Sequence, residues 1–185
     1  MPTAKYNFKL LCLFCAISWF VGCALSIELF YSSSTQNYYK QHQDHALIAP
    51  FSNDPDILNS KPIVRVIKIF IHNSIVSLII CVGGFLTAGF LSIVVLCFNG
   101  FMVTSVIINA AINNKGFSYI VNHLIWHGGF ELFALIWFGG IGLSGFFGWK
   151  QFLKSSTIEL TEYLSVKRLL TPIVLLAIAA LIEGF

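Results

Sequence analysis

Between Ile69 and Ala111 the chain runs for 43 residues without one Asp, Glu, Lys or Arg. A soluble fold cannot hide a segment of that length, because its outward faces need charged positions. A helix crosses a hydrocarbon core of about 30 Å with about 20 apolar residues. The run is too long for one crossing and fits two, so a break is expected near Gly89–Ser92. The rest of the composition agrees. Of the 185 residues, 57% are hydrophobic and 10% charged, against about 25% charged in ordinary soluble domains. A soluble globular domain and a disordered chain are both excluded. Eleven Lys and Arg and a net charge of +3 give no dense basic face, so no nucleic-acid partner is expected.

Three further apolar segments accompany the long run: Leu10 to Phe30, His123 to Phe147, and Leu169 onward. The expected fold class is an all-α membrane protein, a bundle of about five transmembrane helices. It forms a single integral membrane domain over residues 1–185. The spans fall at about 10–30, 69–89, 91–111, 123–147 and 169–185, with a polar external loop at 31–60. Thirty residues cannot build a core of their own, so that loop is a connection or a contact surface.

Cations set the expected orientation. Lys5, Lys9, Lys150, Lys154, Lys167 and Arg168 fall on one side of such a bundle. Lys40, Lys61, Arg65, Lys68 and Lys115 fall on the other. Lys5 and Lys9 sit tightly against the first span, which favours a cytoplasmic N-terminus by the positive-inside rule. Phe20-Val21-Gly22-Cys23 has the outline of a lipoprotein cleavage box. Apolar character continues to Phe30, so the segment reads as an uncleaved helix. Cys12, Cys15, Cys23, Cys81 and Cys97 all fall inside spans and read as small packing residues, not a disulfide framework.

Ahead of the second span, Lys61, Arg65 and Lys68 stand at i, i+4 and i+7, one helical face. Ile63, Val66, Ile67 and Phe70 populate the remainder. Ser60 is placed to cap this helix, and Pro62 is tolerated in its first turn. One reading is a short amphipathic helix lying on the membrane, its interfacial basic face toward anionic lipid. The other is a plain extension of the second span with snorkelling cations. Residues 149–168 read as a solvated linking helix.

Charges inside a span are costly and draw attention. His123, His127 and Glu131 form an i, i+4, i+8 stripe beside Gly128 and Gly129. Glu183 lies in the fifth span, and Asn99 with Gly100 in the third. At about 1.5 Å per residue, Glu131 and Glu183 each fall about 9–12 Å from the outer side and Asn99 near mid-depth. If the third, fourth and fifth helices are neighbours, Asn99, His127, Glu131 and Glu183 form an intramembrane polar cluster. Three roles fit it: hydrogen bonds that fix the bundle, proton or ion transport, and a metal site. The metal reading lacks the His-Glu-x-x-His signature, because Leu124 follows His123. Neither a metal ligand set nor a cofactor is expected. Small residues at four-residue spacing, Gly84, Ala88, Ser92 and Gly140, Ser144, Gly148, predict close helix approach and allow a homo-oligomer.

His127-Gly128-Gly129-Phe130-Glu131-Leu132 resembles the His-Gly-x-x-Glu-Leu motif of the stage II sporulation protein M family. Ile69-Phe70-Ile71-His72-Asn73 is similar to its apolar run ending in Asn-Asn, with His72 for the first Asn. Gly83-Gly84 and Phe98-Asn99-Gly100 resemble its next motifs. Ala179-Ala180-Leu181-Ile182-Glu183-Gly184-Phe185 resembles its closing Ala-x-x-Ile-Glu-x-Phe. Trp126 stands where the family often has Pro, and His123 matches no family position. The resemblance implies a multi-pass protein of a prokaryotic plasma membrane and singles out Asn99, Gly100, His127, Gly128, Glu131 and Glu183. It also implies a non-enzymatic scaffold in a peptidoglycan-remodelling complex of the cell envelope. Its partners would be the lipid bilayer and other envelope proteins, including a cell-wall hydrolase. A transporter or transporter subunit and an intramembrane metalloenzyme are the competing expectations.

Overall fold

The uncharged run turns at Thr87–Gly89, a few residues before the expected break. This is seen in a computed structural model that describes residues 6–32, 61–112, 126–156, 163 and 165–184. Ala88 and Gly89 both take positive φ, 54° and 92°. The Gly89 N–H donates to the Gly84 carbonyl at 2.7 Å, a left-handed helix stop. Thr87 serves both sides of the turn. Its hydroxyl donates to the Gly83 carbonyl at 2.8 Å and accepts from the Leu91 N–H at 3.0 Å. The Trp149 indole N–H then reaches the Phe85 and Leu86 carbonyls at 3.2 and 3.1 Å. Backbone groups that lipid cannot satisfy are thus bonded within the protein.

Five long helices result among the described residues. They are α1 (Phe8–Tyr31), α2 (Pro62–Leu86), α3 (Phe90–Ile112), α4 (Trp126–Ser155) and α5 (Val166–Gly184). Phe8–Tyr31, Pro62–Leu86, Phe90–Ile108 and Gly128–Ser155 are long and apolar enough to cross a bilayer. The fifth, of 19 residues, carries its charges near its ends and packs on α4 and α2. The all-α membrane architecture read from the sequence is therefore present. Residues 33–60 of the expected polar loop, His123 and Lys115 lie outside the described residues.

The segment holding Lys61, Arg65 and Lys68 runs into the second span without a break. Ile63, Val64, Ile67 and Ile71 are exposed along it, while Arg65 and Lys68 are half-buried and Ile69 and Asn73 are buried. Exposed apolar side chains beside half-buried Arg65 and Lys68 fit a helix in lipid, with Lys61 and His72 also exposed. Of the two readings, the extension of α2 describes it.

Small residues set the helix packing. The buried face of α1 is Leu11, Cys15, Ser18, Gly22 and Ser26. It lies along α3 so closely that a Cβ at Gly22 would collide with the Cys97 carbonyl. One at Gly100 would collide with the Trp19 carbonyl. The Ser18 hydroxyl donates to the Ile93 carbonyl at 2.8 Å, and the Ser26 and Ser105 hydroxyls share a 3.0 Å bond. Such bonds contribute about 0.6 kcal/mol each in a membrane, so close backbone packing carries most of the attraction.

Helix α4 touches all four of the others. Its Gly139 receives Leu96 and Cys15, and its Gly145 receives the Phe85 backbone. Where Gly142 crosses α2, segment Ile79–Gly83 is wound as a π-helix, and the Ser92 hydroxyl donates to the Ile80 carbonyl at 2.8 Å. A Cβ at Gly142 would strike both that hydroxyl and that carbonyl. Ser144 is fully buried on the same helix, as its small-residue line with Gly140 and Gly148 predicts. The other predicted line is different. Ala88 sits in the turn, so Gly84, Ala88 and Ser92 do not share one helix face. Gly84 and Ser92 instead meet across the hairpin. The five cysteines are all free thiols.

Candidate functional site

The starts of α1 and α5, the α2–α3 turn and the end of α4 share one end of the bundle. Aromatic rings join them there. Tyr6 stacks on Phe147 at 5.4 Å and on Tyr163 at 5.7 Å. The Arg168 guanidinium donates to the Tyr6 hydroxyl and lies 5.3 Å from the Phe8 ring centre. Pro172, buried inside α5, has no N–H to give the Arg168 carbonyl. The Trp137 indole of α4 supplies that donor at 3.0 Å.

The opposite end gathers the intramembrane charges. There α5 finishes against the beginning of α2, where a Cβ at Gly184 would collide with Val66. This close approach brings Glu183 beside the basic side of α2. Arg65, Lys68 and His72 stand at i, i+3 and i+7, continuing the face begun by Lys61. Glu183 lies within electrostatic reach of His72. Glu131, in the second turn of α4, lies within reach of Glu183. Both carboxylates are half-buried. Three helices therefore bring titratable groups to one place: His72 from α2, Glu131 from α4 and Glu183 from α5.

The predicted cluster is brought together only in part. Glu131 and Glu183 meet. Asn99 does not join them: it lies on the α1–α3 seam, where its Oδ1 accepts from the Trp19 indole at 3.0 Å. Its neighbour Gly100 presses on α1, and the Gly100 carbonyl accepts from the Cys23 thiol at 3.5 Å. The physical reason is pairing: α3 packs along α1, which supplies an indole donor at the depth of Asn99. His127 falls in the first turn of α4, with its side chain outside the described residues. Gly84 is a packing glycine as predicted. Gly128 is not seen as one, since a Cβ there, or at Gly129, would meet no described atom within 4 Å. Among the described residues no group of three or more His, Cys, Asp and Glu is placed to hold a metal.

Sequence reasoning missed His72, Trp19 and Trp137. For His72 the signal was present, because it continues the spacing of Lys61, Arg65 and Lys68 by one more turn. For Trp137 the signal was Pro172, which announces an orphaned carbonyl four residues earlier.

A family model described as stage II sporulation protein M matches residues 10–185. Neither a curated protein nor a solved structure matches the chain.

Proposed function

The chain belongs to the stage II sporulation protein M family, and from that membership we propose that it is a non-enzymatic membrane scaffold. Its place would be a cell-envelope complex that remodels peptidoglycan in a prokaryotic plasma membrane. A cell-wall hydrolase is the partner class this reading names. One observation carries the reading: the polar groups inside the bundle are engaged in holding helices together. Ser18, Ser26, Ser92, Asn99 and Trp137 all bond across helices. Glu131, Glu183 and His72 mark a polar site where α4, α5 and α2 come together. A rigid frame of this kind holds other proteins in register.

The N-terminus is assigned to the cytoplasm. Support comes from Lys9, Lys150, Lys154 and Arg168, which gather at the end where α1 begins.

The test is Glu131→Gln, followed by affinity purification from the native membrane. The scaffold reading expects lower abundance or fewer co-purifying envelope proteins. Normal assembly of the variant with loss of a measurable ion flux would overturn it.

A second reading, a transporter, draws on the approach of Glu131 to Glu183 near His72. Under it, liposomes holding the wild type carry a pH-gradient-driven flux that Glu131→Ala and Glu183→Ala abolish. No flux under any gradient would remove this reading.

A further inference from the structure

An apolar groove opens on the side of the bundle at the end where α1 begins. Phe14, Ile17 and Val21 of α1 form one wall, and Ile93 and Cys97 of α3 the other. Phe146 of α4 lies against it, and its volume is about 590 Å3. The size is that of a small-molecule site. Its extent along α1 runs from Leu11 to Val21, about 15 Å at the helical rise. That is half of a hydrocarbon core of about 30 Å, the depth of a single leaflet.

Beyond the groove, α4 carries two lysines in register with its lining residues. Lys150 follows Phe146 by four residues and Phe147 by three, so it lies one turn beyond them on the same face of α4. Lys154 follows one turn later, and both lysines are exposed. Trp149 lies beside them with its indole fixed to the α2–α3 turn. An indole and two lysines at a helix end mark the headgroup layer. One leaflet of apolar depth, topped by two ammonium groups, matches a molecule with a long chain and an anionic head.

We infer that this groove holds an acyl chain of one anionic phospholipid whose phosphate sits against Lys150 and Lys154. A zwitterionic lipid fits the groove equally well but gains less from the lysines. A partner's helix needs a wider face and no phosphate contact. Occupation fills the groove that α1, α3 and α4 line together, so the lipid acts as a removable strut of the bundle.

Native mass spectrometry of the purified full chain in detergent tests this. The probes are dioleoyl phosphatidylglycerol, dioleoyl phosphatidylcholine and free glycerol phosphate. The expected result is one retained phosphatidylglycerol, favoured over phosphatidylcholine by roughly tenfold. Lys150→Gln with Lys154→Gln should erase that preference, and the matching Arg pair should keep it. Val21→Trp, placed at a lipid-exposed position of the groove wall, should lower retention of both lipids. Ile17→Trp is the alternative filler if the first variant does not elute as a monodisperse peak. Equal retention of the two lipids by the wild type would overturn the inference. So would undiminished phosphatidylglycerol binding in the folded Trp variant, or retention of glycerol phosphate alone.

Discussion

Trp137 shows how one side chain compensates for another. Pro172 removes a backbone donor from α5, and the carbonyl it leaves behind belongs to Arg168. In lipid no water can take that place. Trp137→Phe keeps an aromatic ring but deletes the N–H and trims the bicyclic indole to a smaller phenyl group. The expected cost is about 1–2 kcal/mol, read as a lower thermal midpoint in detergent, and Pro172→Ala in the same background should restore part of it. Asn99 invites the parallel test. Trp19→Phe should loosen the α1–α3 seam by a similar amount while leaving Glu131 and Glu183 in place, since Asn99 is not one of their neighbours. At this scale the sequence was legible wherever cost was visible. A carboxylate inside an apolar span announces itself, and Glu131 and Glu183 do meet. An amide is cheap enough to be satisfied by whichever helix lies nearest, so the partner of Asn99 depended on which helices pair.

Helices were legible by length and apolarity, and their pairing was not. The hydrophobic content of α1 alone does not say that α3 lies against it. The clue was Cys15, Ser18, Gly22 and Ser26, one small-residue face among bulky neighbours. Ser18, Gly22 and Ser26 keep the same four-residue spacing as the other small-residue lines, so this face was legible in the sequence. Gly22→Leu should force the Cys97 carbonyl away and cost about 1–3 kcal/mol. Gly128→Ala meets no described atom within 4 Å and should stay within about 0.5 kcal/mol of wild type. Thermal unfolding of the two purified variants compares them directly. If Gly22→Leu melts with the wild type, the seam is not as tight as its geometry requires. The start of α2 teaches a related lesson. A helical stripe of cations reads the same whether it faces water or the bundle interior. Only the burial of Ile69 and Asn73 on that helix says which way it turns.

For the whole molecule, charge is distributed end against end. One end carries Lys9, Lys150, Lys154 and Arg168, and the other the basic stripe of α2 with Glu131 and Glu183. Neutralising Lys9, Lys150 and Lys154 together should weaken the orientation signal and yield a mixed population. Labelling of a single cysteine at Ser156 by a membrane-impermeant maleimide, in a cysteine-free background, measures the mixture from each side of the membrane. Uniform labelling from one side, as in the parent, would show that the remaining cations suffice.

The turn at Thr87–Gly89 bears on how the protein is made. Three residues, bonded on both sides and capped by Trp149, leave no loop that waits in water while one helix enters the bilayer. Once both have been synthesised, helices α2 and α3 are held as a hairpin. The insertion machinery then handles a hairpin, with Lys61, Arg65 and Lys68 ahead of it and Lys115 behind it, all flanking its open end.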